Sequence, residues 1–98
     1  MSDVALREAG SPFLIEGELT IYRATELKPL ILQVVARGAG LGLDLSAVDE
    51  IDTAGVQLLL LARREAGERG EDLRLLHASP VVREVFGLLG LGEHLQPA

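Results

Sequence analysis

The chain has no cysteine and no tryptophan, and Phe13, Tyr22 and Phe86 are its only aromatic residues. Without cysteine there can be no disulfide, thiolate metal ligand or thiol nucleophile, a composition that fits a reducing compartment. So few rings leave no platform on which bases could stack. Positive charge is scarce as well: nine Lys and Arg against fifteen Asp and Glu give a net charge of −6. Nucleic acid is bound through clustered cations, so no nucleic-acid partner is expected and the natural counterpart is another protein, such as one with a basic face. No apolar run approaches the roughly 20 residues of a membrane span. The opening Met1-Ser2-Asp3-Val4 lacks the basic-then-apolar pattern of a secretory leader. A cytoplasmic protein without membrane insertion is the expectation.

What the chain does have is apolar content. Its 98 residues, 48% of them hydrophobic, suffice for one core and therefore one domain, residues 1–98, with no room for a large active-site cleft. Short alternating runs at residues 4–7 and 12–20 predict two early strands joined as a hairpin near Gly10-Ser11. Leu27, Leu30, Ile31, Val34 and Val35 recur at three- and four-residue spacings and predict a helix over residues 22–37, with Thr25 as its cap so that Pro29 falls near its start. Gly38, Gly40 and Gly42 end it, and the alternation over residues 41–45 predicts a central strand. A second helix follows from Thr53 to Arg69, stopped by Gly70. Residues 73–76 predict another strand, and Ser79 followed by Pro80 starts a third helix that ends at Gly90. This order implies an α/β fold, a small mixed sheet of four to five strands covered mainly on one side by three to four helices.

Chemistry is sparse along this frame. His77 and His94 are far apart and accompanied by no cluster with metal-ligand spacing, so they are expected at the surface and no metal is implied. Gly38-Ala39-Gly40-Leu41-Gly42 precedes a strand rather than following one and lacks the Gly-Lys-Ser/Thr ending of a phosphate loop. Asp44, Asp49, Glu50 and Asp52 have no partner identifiable as a base or acid, so no catalytic residue and no cofactor are assigned.

The informative stretch is Asp44-Leu45-Ser46-Ala47-Val48-Asp49-Glu50-Ile51-Asp52-Thr53-Ala54-Gly55-Val56, a buried strand, a loop and a helix start in one run. It sets Thr53 at a helix N-terminus, where unpaired N–H groups and the positive end of the dipole suit a capping hydroxyl or a phosphate carried on it. Either Thr53 or Asp52 acting as a plain cap would stabilise the helix by about 1 kcal/mol. The following Leu58-Leu59-Leu60-Leu61 is too apolar for one buried stripe. With Gly55, Leu58, Leu59, Ala62 and Ala66 toward the sheet, Thr53, Val56, Gln57, Leu60 and Arg64 align on a second, outward face. An outward stripe headed by a modifiable hydroxyl reads as a docking surface made of Asp52, Thr53, Ala54, Gly55, Val56, Gln57, Leu60 and Arg64, an extra-wide core stripe or a dimer contact being the alternatives.

These motifs resemble the STAS domain family, the anti-sigma-factor antagonists and their relatives. The family signature, a strand ending Asp-Leu-Ser and a loop leading to Asp-Ser/Thr-Ser/Ala-Gly, reads here Asp44-Leu45-Ser46 and Asp52-Thr53-Ala54-Gly55. Glu16-Gly17-Glu18-Leu19 is similar to the family's second-strand motif, and the run from Pro80 to Leu91 looks like its last helix, so the resemblance covers nearly the whole chain. It implies a non-enzymatic bacterial regulator, with Thr53 at the position that an anti-sigma-type serine/threonine kinase phosphorylates. It implies further that the unmodified protein binds the partner and the phosphoprotein lets go. Thr20 stands where many antagonists have aspartate, and the Asp52-Thr53-Ala54-Gly55 form is similar to the STAS subunit of the lipid-asymmetry ABC transporter, which binds the transporter ATPase. Stand-alone STAS proteins of chemotaxis-like signalling clusters are a third resemblance.

Overall fold

The computed structural model describes residues 12–37 and 42–97. Its elements run β1 (Phe13–Leu19), α1 (Ile21–Arg37), β2 (Gly42–Ile51), α2 (Thr53–Glu68), β3 (Arg74–Leu76) and α3 (Pro80–Leu88), closed by a 3-10 turn at Gly92–His94. The candidate strand at residues 4–7, its hairpin and most of the glycine run at 38–41 lie outside the described residues. Among the described residues the sheet has three strands, fewer than the four to five expected, all parallel and in the order β1-β2-β3. Two βα units laid down in sequence order with right-handed crossovers bring α1 and α2 to the same side of such a sheet. They pack on each other, while α3 packs on β2.

β2 is longer than its alternation predicted, and the reason is visible in the pairing. Phe13 pairs with Leu43 and Leu19 with Ile51, so six steps along β1 face eight along β2, and the two extra residues lie on β2. Each breaks the period of two, which is why Leu45, Val48 and Ile51 are buried at three-residue spacing and Asp49 and Glu50 between them read as loop. On β1 the same irregularity is stabilised from α1. Gly17 takes φ +83°, and the Arg23 guanidinium donates to the carbonyls on either side of it, Glu16 at 2.6 Å and Glu18 at 2.9 Å.

α1 starts at Ile21, and the carbonyl of Thr20 accepts from the N–H groups of Arg23 and Ala24 at 2.9 Å. Thr25 therefore sits in the second turn and is not the cap expected of it. Pro29 lies well inside the helix, but it and Thr25, four residues back, are both exposed, so water can serve the carbonyl that proline leaves unpaired. Leu27, Ile31, Val34 and Val35 form the buried stripe. α2 ends as the sequence predicts, with Gly70 at φ +78° and the N–H of Glu71 returning to the carbonyl of Ala66 at 2.9 Å. Ser79 and Pro80 open α3, but the Ser79 hydroxyl is buried and makes no capping bond. Beyond α3 the chain returns to β3, Leu75 bridging Leu95 in parallel, which covers the outer edge of the short strand.

Candidate functional site

Parallel strands deliver the N-termini of α1 and α2 to one edge of the sheet, and Asp52 joins them. Its backbone is extended at φ −122°, its Oδ1 accepts from the N–H of Gly55 at 3.0 Å, and its Oδ2 accepts from the N–H of Ile21 at 3.0 Å. One carboxylate thus serves the first turns of two helices, reaching Ile21 from 31 positions away in sequence. Donation from Ile21, and then from Gly55, holds the Asp52 carboxyl below the usual carboxylate range, against a smaller opposing effect of burial. Asp52, not Thr53, is the cap of α2.

Gly55 sets how closely the helix can approach. A Cβ there would collide with the carbonyl oxygen of Leu19 and lie 3.0 Å from the Ile51 side chain, so only glycine lets α2 rest directly on the end of β1. The close seat widens the buried arc of the first turn. Val56, expected on the outward stripe, is fully buried instead. The other sheet-facing assignments, Gly55, Leu58, Leu59, Ala62 and Ala66, are all buried.

Thr53 is exposed at the first helical position, and Ala54 beside it is half-buried. From Thr53 the outward face runs through exposed Gln57 to exposed Arg64, which pairs with Glu68 at 3.6 Å. Leu60 is half-buried and packs on the core, so its place on that face is narrower than the spacing suggested. Leu61 takes it over. With Ala54, Gln57 and Leu58 it lines one wall of a shallow groove of about 380 Å³ whose other wall is Ala24, Thr25 and Lys28 of α1.

The spacing argument also missed two residues at the head of α1. Ile21 is 63% and Tyr22 87% exposed, side by side next to Asp52. The signal was present: the buried stripe of α1 steps back from Leu27 to half-buried Ala24 and buried Thr20, and neither Ile21 nor Tyr22 falls on it. Thr20 itself is buried and its hydroxyl donates to Glu18 at 3.0 Å.

Asp44 accepts from the N–H of Ser46 at 2.9 Å, while Asp49 and Glu50 are exposed. His77 is a surface residue as expected, but His94 is not. It is half-buried, with its Nδ1 3.0 Å from an Arg63 nitrogen. Among the described residues no group of three or more His, Asp or Glu could hold a metal ion, and no helix is long and apolar enough to cross a membrane.

Comparison with known proteins agrees with this geometry. No curated protein matches the chain. Among solved structures, the unphosphorylated anti-sigma factor antagonist SpoIIAA is similar at 26% identity over 90% of this chain and 79% of that one, with a TM-score of 0.72. The phosphorylated form of the Bacillus cell fate determinant SpoIIAA matches at 24% identity over 93% and 85%, with a TM-score of 0.67. A sulfate transporter family protein from Wolinella succinogenes shares the fold at 23% identity over 91% and 74%, with a TM-score of 0.69. The family model described as "Mlab, STAS domain" matches residues 4–97, and this chain therefore belongs to the STAS domain family.

Proposed function

We propose that this chain is a non-enzymatic bacterial regulator of the anti-sigma-factor antagonist type, which docks a protein partner in the cytoplasm and is switched by phosphorylation of Thr53. The observation that carries this is the placement of Thr53: an exposed hydroxyl one residue after the shared cap Asp52, at the head of an outward helix face that leads past Gln57 and Leu61 to Arg64. SpoIIAA, similar at 26% identity, exists in unphosphorylated and phosphorylated forms. A phosphate adds nearly two negative charges and favours a helix N-terminus, so the modification leaves the fold intact. Docking would have to strip water from that dianion, at several kcal/mol, so the unmodified protein binds and the phosphoprotein releases.

The test is phosphopeptide mass spectrometry of the protein isolated from its native cells, joined to transfer assays with an anti-sigma-type serine/threonine kinase. Phosphate on Thr53, lost in Thr53→Ala, supports the switch. Its absence across growth conditions, together with co-purification of a transporter ATPase, would replace it with the second reading, a constitutive accessory subunit of an ABC transporter. That reading is favoured by the Thr53-Ala54 pair in place of two hydroxyl residues and by the Mlab description of the family model.

A further inference from the structure

We propose that partner recognition is composite: Ile21 and Tyr22 at the head of α1 are the apolar anchors, and the partner presents an apolar cleft rimmed by Lys and Arg. This rests on the proposed docking function and extends it to a second helix. Ile21 and Tyr22 are 63% and 87% exposed, and an adjacent exposed aliphatic and aromatic residue at a helix head is surface that the fold itself does not use. Asp52 bonds the N–H of Ile21 and the N–H of Gly55 with its two oxygens, so these anchors hold a fixed position relative to Thr53.

The charge around them selects the partner. Glu18 and Glu50 are neighbours across β1 and β2, Asp49 is exposed beside them, and Glu26 lies one helical turn along α1 from Tyr22. The cation nearest to the anchors in sequence, Arg23, is half-buried, directs donors into the carbonyls of Glu16 and Glu18, and lies 3.7 Å from Glu26. Exposed Lys28 lies on the groove, and Arg64 lies further along α2. The anchors are thus set in a negative rim, which attracts a basic one and repels an acidic one. Thr53 follows Asp52, which bonds Ile21, and precedes Ala54, which lines the groove. Exposed rim pairs contribute little each and are screened by salt. They do not offset the cost of desolvating a dianion at Thr53, so a basic partner is still released by the phosphate.

The experiment places a photo-crosslinking amino acid at position 22, at position 57 and, as a control, at position 88, where exposed Leu88 ends α3. The protein captured in native cells is then purified and titrated by calorimetry against the unlabelled chain. Probes at 22 and 57 should capture the same protein, through a peptide rich in Lys and Arg, and the probe at 88 should not. The Ile21→Ser/Tyr22→Ser double variant should bind it at least about tenfold more weakly with an unchanged melting temperature, and raising salt should weaken the wild-type complex. Wild-type affinity in the double variant, capture at 57 but not at 22, or capture at 22 of only a second copy of this chain would overturn the proposal. If the double variant loses affinity while Thr53→Asp does not, the composite surface stands and the phospho-switch falls. The reverse pattern retains the switch and removes the anchors.

Discussion

The first turn of α2 is held at its backbone, where the Asp52 carboxylate accepts from the Gly55 N–H and Gly55 sits on the Leu19 carbonyl, while its later half is tied by one long side chain. Arg63 donates through Nε to the Leu73 carbonyl at 3.1 Å, reaches His94 Nδ1 at 3.0 Å and the His94 carbonyl at 3.4 Å, and lies 3.6 Å from Asp72. At the later half Arg63 turns inward and staples the C-terminal tail to the residue that leads into β3. At the head the Asp52 carboxylate does that work on backbone N–H groups, and Thr53, Ile21 and Tyr22 face out. A helix end fastened through its backbone N–H groups keeps the side chains of that turn available, and that is the difference between the proposed recognition end and the structural end.

The comparison breaks most severely at Gly55. Gly55→Ala forces a methyl group into the Leu19 carbonyl, so the helix must lift from the sheet, and urea denaturation should show a loss of about 3 kcal/mol or more. Leu59→Glu buries an unpartnered carboxylate at a position with no exposure and should cost a similar several kcal/mol. The same substitution at half-buried Leu61, on the groove, should cost much less. Equal losses at 59 and 61 would mean that the helix is rotated from the position described.

Next comes Asp52. Asp52→Ala removes bonds to both helices and should lower stability by about 1–3 kcal/mol, with faster hydrogen exchange at the amides of Ile21 and Gly55. The lowered carboxyl pKa fixes the sign of its pH dependence. The contribution is complete above the carboxylate range of the unfolded chain and disappears as the pH falls through the lower folded value. Acid titration of stability in Asp52→Asn should lack that component. An unaltered acid limb would show that the two N–H bonds contribute little.

Arg63→Ala is the counterpart at the other end. It should cost about 1–2 kcal/mol and speed exchange over residues 92–97, yet leave partner affinity as it was, because the groove and Thr53 do not touch it. Loss of binding in this variant would erase the division between the two ends.

Much of this contrast could be read from residue order. The limits of α2, the turn at Gly70, the Ser79-Pro80 start of α3 and the exposed Thr53 follow from local chemistry, which spacing and capping preferences report directly. What escaped was non-local. The two bulges of β2 exist only in its pairing with β1, so Asp49 and Glu50 read as loop rather than strand. The burial of Val56 follows from how closely Gly55 lets α2 approach Leu19, a distance that helical periodicity does not contain. The bond from Ile21 to Asp52 crosses 31 positions, and with it the second half of the proposed surface was invisible. His94 looked like a surface residue because its partner Arg63 sits on another element.

The smallest structural effect should carry the largest functional one. Thr53→Asp, aspartate being favoured near a helix start, should leave stability within about 0.5 kcal/mol of wild type. The decisive measurement is the affinity of the native partner for protein carrying phosphothreonine at position 53, compared by calorimetry with the unmodified chain at the same salt concentration. The account predicts binding at least about tenfold weaker, equivalent to about 1.4 kcal/mol, with an unchanged fold by circular dichroism. Equal or tighter binding by the phosphoprotein would contradict it.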